Sequence, residues 1–136
     1  MKTPDDLPSR IEVVRRRDDF ENDNEAFVAA WAKQETKLRK SVTAARERLA
    51  SVVVSDAALE RAAKLCMALG TDGLRGELTL MRAARALAAL EGAKSVTDEH
   101  LRRIAPPALR HRLRRNPLDD AGSSVRVDRA IAEVFG

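Results

Sequence analysis

The run DGLRGELTLMRAARALAALEG at residues 72–92 opens on an arginine held between two glycines, Gly73-Leu74-Arg75-Gly76. A guanidinium is a planar fork suited to a phosphate or a carboxylate, and glycines leave room for close approach by a ligand or another backbone. Neither glycine favours helix, and a cation in the first helical turn opposes the helix dipole. Something must compensate. Either Arg75 reaches an anionic group outside its own domain, or it pairs at the surface with Asp72 or Glu77 while the glycines make a turn. The residues by themselves leave both readings open.

Other chemistry is sparsely represented. A phosphate-cradling GxxxxGK[ST] loop is absent, and Gly70-Thr71-Asp72-Gly73 lacks both its lysine and its spacing. Val52-Val53-Val54-Ser55-Asp56 has the form of a strand ending in a metal-binding aspartate, a match with little weight without that loop. His100 and His111 stand eleven residues apart with two prolines between them, so they form no HExxH pair and read as surface or half-buried histidines. No GxSxG elbow signals a nucleophilic serine. Cys66 is the single cysteine, between Leu65 and Met67 in an apolar helical pattern. It reads as a buried inert thiol, with no intrachain disulfide or cysteine-based zinc site. The chain alone is therefore expected to have no catalytic residue, metal or cofactor.

The elements that must position Arg75 read as helices. Of the 136 residues, 44% are hydrophobic and 34% charged, enough for one ordinary core, while the aromatic share of 3% and the wealth of alanine, leucine, arginine and glutamate predict an all-α bundle. No run approaches the roughly eighteen apolar residues of a membrane span, and the first thirty residues are too charged for a secretory signal, so a cytoplasmic protein without membrane insertion is expected. The net charge is +4, with arginines clustered at 15–17, at 102–103 and at 110, 112, 114 and 115. Asp18 and Asp19 follow the first cluster and Asp119 and Asp120 the last, so solvated helix faces are the default and an acidic partner the alternative.

Asp5 or Asp6, with Pro8 in the first turn, predicts a first helix that places Leu7, Ile11 and Val14 on one face and ends near Phe20. Asp23 or Asn24 caps a second with Phe27, Trp31, Leu38, Val42, Ala45 and Leu49 at helical spacing, and the polar run 33–37 is a candidate break. Val52-Val53-Val54 reads as an extended connector, because no partner strand is evident. Ser55 or Asp56 starts a helix carrying Leu59, Ala62, Ala63, Cys66 and Leu69, closed by Gly70. The next begins at Arg75, sets Leu78, Met81, Ala84 or Arg85, and Ala88 in one row beside Leu80, Ala83, Leu87 and Leu90, and ends at Gly92. Thr97 caps another, with Leu101 and Ile104 inward. Pro106 and Pro107 should kink or restart it before a piece through Leu109 and Leu113. Asn116-Pro117 ends that piece, 119–124 is a loop, and 125–135 is a final helix with Val127, Ile131 and Val134 or Phe135 inward.

The stretches RIEVVRRRDDF, AARERL, ALGTDGLRGELTLMRAARALAALEG, VTDEHLRRIAPPALRHRLRRNPLDDAGS and RVDRAIAEVFG cover most of residues 9–136. Together they closely resemble the C-terminal part of the ATPase (I) subunit of magnesium chelatase, a family of AAA+ ATPases. The long central run and HRLRRNPLD are the specific part. The resemblance implies a helical linker region at 1–54 and an AAA+ lid bundle at 55–136, cut from a nucleotide-binding core module. It implies that Arg75 is the sensor 2 arginine, projecting toward the γ-phosphate of ATP held by a core module, that of a neighbouring subunit. ATP and Mg2+ are then cofactors of the full-length protein, which drives magnesium insertion into protoporphyrin IX for chlorophyll or bacteriochlorophyll. Its partners are neighbouring subunits of a ring, the chelatase's D subunit and, indirectly, its H subunit. Pro106-Pro107 resembles the related MoxR ATPases, whose lid is the alternative. Arg82 and Arg85 are expected to form surface salt bridges.

Two further classes compete. One is a stand-alone helical interaction module whose arginines bind an acidic partner. The other is a nucleic-acid binder using SVTDEHLRR as a recognition helix, which the prolines and the scarcity of Asn, Gln and aromatic readers weigh against, so no nucleic-acid partner is expected.

Overall fold

The computed structural model describes residues 4–71, 73–113 and 122–136, and these form six α-helices. They are α1 (Leu7–Asn22), α2 (Asn24–Arg48), α3 (Asp56–Leu69), α4 (Arg75–Glu91), α5 (Asp98–Leu109) and α6 (Ser123–Phe135), with one 3-10 turn at Leu49–Ser51. Among the described residues there is no strand, as the composition implied; two isolated bridges, Val53 with Ser95 and Thr71 with Leu113, are the only pairings of β type. No helix there is long and apolar enough to cross a membrane. The chain divides into two compact units, Met1–Ser41 and Val42–Gly136.

In the first unit the Asp6 carboxylate accepts from the Ser9 amide at 2.8 Å and caps α1, while Asp23 does the same for α2 through the Ala26 amide at 2.9 Å. α1 buries none of its residues: Leu7, Ile11 and Val14 share a face, but all three are exposed. What holds the hairpin is aromatic. Phe20 meets Phe27 edge-on with centroids 5.6 Å apart, Phe27 meets Trp31 at 5.9 Å, and the Arg16 guanidinium lies 4.6 Å from the Trp31 ring centroid. α2 continues unbroken through the polar run 33–37, where lysine, glutamine and glutamate are all good helix formers.

The second unit contains the core. α4 packs along α5, and α6 lies across α3 and α5. Leu65, Leu80, Leu101, Leu109 and Val127 are fully buried, each contributing about 1.5–3 kcal/mol of transfer free energy. Alanines 62, 84, 88, 89 and 105 are buried in the same core. Leu59, Leu78 and Leu90 sit at helical spacing yet remain exposed, because the buried stripes of α3 and α4 are centred on Leu65 and Leu80 instead. The valine connector is extended as expected: the Val53 amide donates to the Lys94 carbonyl and its own carbonyl accepts from the Val96 amide, each at 2.9 Å.

Side chains close the ends. Arg48 donates through Nε and Nη2 to the Ala89 carbonyl at 3.1 and 2.9 Å, satisfying the C-terminal end of α4. Arg126 on α6 reaches the Leu69 carbonyl at the end of α3. Thr97 caps α5 in a capping box whose second member is His100: the Thr97 amide donates to His100 Nδ1 at 2.9 Å. Nδ1 is thus the acceptor, so Nε2 carries the proton and donates to Glu91 at 3.1 Å. His100 is buried, a structural residue joining two helices rather than a surface one.

α5 departs from expectation by running through Pro106 and Pro107 to Leu109 without stopping. The two rings deprive the carbonyls of Arg102 and Arg103 of their partners, but both residues lie on the exposed side, while Leu101, Ala105 and Leu109 anchor the other. α6 begins at Ser123, two residues before the expected start, with Val127, Ala130 and Phe135 buried. Arg114, Arg115, Asn116-Pro117, Asp119 and Asp120 lie outside the described residues.

Candidate functional site

Arg75 is the first residue of α4, and three features of the chain around it set its position. Gly70 closes α3 in the left-handed conformation, at φ +62°, and its amide returns to the carbonyls of Cys66 and Met67. Gly73 then turns the chain at φ +57°, which an L side chain adopts only with strain. Leu74 takes the N-cap position without a side-chain cap. Asp6, Asp23, Ser55 and Thr97 cap α1, α2, α3 and α5, whereas α4, like α6, has no side-chain cap among the described residues. Bare amides at the positive end of a helix favour an anion.

The second glycine has a steric role. Gly76 is buried, and a Cβ built on it would lie 2.8 Å from Thr71 Oγ1, 3.1 Å from Thr71 Cβ and 3.3 Å from Cys66 Sγ. The close approach anticipated for a ligand or another backbone is therefore made by the protein's own α3–α4 turn. That contact clamps the first turn of α4 onto α3 and aims the residue before it outward.

Arg75 is exposed, and among the described residues its guanidinium has no hydrogen-bond or ion-pair partner. Its carbonyl, by contrast, is held by Thr79 Oγ1 at 2.7 Å. Of the two surface partners considered, Glu77 does not pair with it, and Asp72 lies outside the described residues. Glu77 turns inward instead: its Oε2 is buried without a hydrogen-bond partner. Burial, reinforced by the Glu77 charge, pushes the Cys66 thiol up to about 11, so Cys66 is a protonated core residue. Arg82 and Arg85, farther along α4, also have no partner among the described residues, contrary to the salt bridges expected of them. The two carboxylates of α4 itself are turned elsewhere: Glu77 faces in, and Glu91 is engaged by Arg103 and His100.

Among the described residues the site is thus an exposed guanidinium without a partner beside uncapped helix amides, an arrangement whose charge suits an anion. Residues 59–133 match the AAA lid domain family. The chain belongs to that family. The whole lid lies in the second unit and includes Arg75. The magnesium-chelatase 38 kDa subunit of Acidiphilium rubrum is 58% identical over 135 residues, which cover 99% of this chain and 39% of that protein. The protein of the same name from Rhodobacter capsulatus is 53% identical over 133 residues, covering 98% of this chain and 38% of that one. The chloroplastic magnesium-chelatase subunit ChlI-2 of Arabidopsis thaliana is 37% identical over 130 residues, 96% of this chain and 31% of that one. A solved structure describing the complex of subunits BchI and BchD of magnesium chelatase is 42% identical, with a TM-score of 0.44 over all of this chain and 39% of that one. The chain spans about two fifths of the length of the first of these relatives.

Sequence reasoning singles out Arg75 and expects its side chain to be exposed, and it is exposed. The inward turn of Glu77 and the steric role of Gly76 were not foreseen, since both depend on Cys66 and Thr71 folding back over the first turn of α4. The only sequence signal was the small residue itself in an otherwise good helix.

Proposed function

We propose that this lid serves the ATPase subunit of a magnesium chelatase and that Arg75 is its nucleotide sensor. The observation that carries the reading is the unpaired, outward guanidinium of Arg75 at the uncapped start of α4. Similarity at 58% identity to a magnesium-chelatase 38 kDa subunit supports the assignment of the enzyme.

The mechanism follows from charge. The chain contains no phosphate-cradling loop, so ATP and its Mg2+ are held by a nucleotide-binding core module, and Arg75 reaches the γ-phosphate from the lid. Charge-assisted hydrogen bonds from a guanidinium to phosphate oxygens are strong and geometrically selective. Loss of the γ-phosphate on hydrolysis removes them. Differential contact in the ATP and ADP states is what allows nucleotide to bias a conformation. The clamp of Gly76 on Thr71 and Cys66 passes a pull on Arg75 into α3 and the core, making the bundle the lever. Within a ring that engages the chelatase's D subunit and, through it, the H subunit, these changes drive insertion of magnesium into protoporphyrin IX for chlorophyll or bacteriochlorophyll synthesis, in the cytoplasm.

Hydrolysis by the purified chain tests the division of labour. The expected result is no ATP turnover and at best weak nucleotide binding, because one arginine and a few amides do not replace a phosphate cradle. Robust hydrolysis by the pure chain would contradict the reading.

A further inference from the structure

We propose that the outward face of α4 docks the acidic tip of the α1–α2 hairpin of a second copy of this chain, joining copies head to tail. Arg75, Leu78, Arg82 and Arg85 are all exposed on α4. At 100° per residue they fall within an arc of about 80°, and the three arginines span about 15 Å along the axis. None of the three has a partner among the described residues. Some guanidiniums elsewhere are engaged, Arg61 with Asp98, Arg103 with Glu91, and Arg48 and Arg102 with backbone carbonyls, whereas Arg39, Arg46 and Arg129 are as free as those of α4 but are not aligned with them on one helix face. Leu78 is 55% exposed between the cations and Leu74 is 75% exposed one turn before it, so the face also offers an apolar foothold.

The chain itself supplies the complement. Residues 18–25, DDFENDNE, hold five carboxylates and no cation. They surround the turn between α1 and α2, and the side chains of Asp19 and Glu25 have no partner among the described residues. Arg82 and Arg85 carry this contact, and Arg75, at the end of the row, remains for its own ligand. Because the two patches differ, the contact is heterologous and propagates from copy to copy, as a ring requires.

Equilibrium sedimentation of the full chain tests this. At low ionic strength it is expected to self-associate, and at about 0.5 M salt to shift toward monomer, since exposed charge pairs are screened. Arg82→Glu with Arg85→Glu should weaken association by about tenfold or more, a change of about 1.4 kcal/mol or more, and Asp18→Lys with Asp19→Lys should do the same. All four substitutions in one chain should restore association, because the reversed patches are again complementary. Circular dichroism confirms that each variant keeps its helices. A monomeric wild-type chain at low salt, association insensitive to either reversal, or a folded quadruple variant that stays monomeric would overturn the proposal.

Discussion

Thr71 Oγ1 occupies the space that any side chain on Gly76 would need: a Cβ at residue 76 would lie 2.8 Å from it. The glycine after Arg75 is therefore a packing requirement of the α3–α4 turn, and the direction of Arg75 depends on it.

Gly76→Val should destabilise the bundle by about 1–3 kcal/mol, the ordinary cost of forcing methyl groups into a packed site. Thermal unfolding followed by circular dichroism checks this. A melting temperature equal to that of wild type would show that Thr71 and Cys66 yield easily and that the turn is not a clamp.

The Cys66 thiol, pushed to about 11 from an ordinary value of 9.0, gives stability a signature in alkali. The unfolded chain ionises its thiol first, so this contribution is present below pH 9.0 and lost as pH rises toward 11. Cys66→Ala should remove that slope. Glu77→Gln should lower the thiol's titration partway only, since burial is the larger cause. The pH dependence of alkylation by iodoacetamide reads both; a Cys66 that titrates normally in the wild-type chain would contradict the packing.

Glu91 joins α4 to α5 by accepting from Arg103 and His100. The Arg103 hydrogen bond and charge, helped by the hydrogen bond from His100, hold its carboxyl below the usual value of 4.5. A carboxylate with a lowered folded pKa stabilises above its unfolded value, and the effect is lost as pH falls through the folded one. Glu91→Gln should therefore lower stability at neutral pH and narrow its difference from wild type in acid. Denaturant titrations at pH 7 and at about pH 3 measure this. A difference that widens in acid would place the linkage elsewhere.

α5 tolerates two internal prolines, and the second is exposed. Restoring the amide with Pro107→Ala should give the Arg103 carbonyl a partner. Proline costs about 3 kcal/mol in a helix interior, and part of the gain from removing it is offset by the freer unfolded chain, worth about 0.4–1 kcal/mol. A higher denaturant midpoint is expected. A lower one would show that the prolines hold a geometry the core needs.

Helix order, caps and most of the second unit's core were legible in the sequence because each depends on local chemistry. Ser55 and Thr97 cap where their side chains can bond to amides three residues on, and Leu101, Val127 and Phe135 recur at helical spacing. The misses depend on tertiary context. Leu59 and Leu78 fit the same spacing but stay about half exposed, and Leu7, Ile11 and Val14 line a face that α1 does not bury. The prolines of α5 stay helical because Leu101, Ala105 and Leu109 hold the opposite face in the core. For the candidate site, Arg75 was visible as a cation where the helix dipole opposes one. Its lack of a partner was not, because Glu77, two residues away, was free on sequence grounds to turn toward it.

The most direct test of nucleotide sensing is ATP turnover by the lid joined to a nucleotide-binding core module, with Arg75 and with Arg75→Ala. The variant is expected to lose turnover by about 100- to 1000-fold, the range for removing one positioned donor from developing negative charge, while its circular dichroism and melting temperature stay those of wild type. Unchanged turnover, or an Arg75→Ala chain that unfolds, would contradict a sensing role for this arginine.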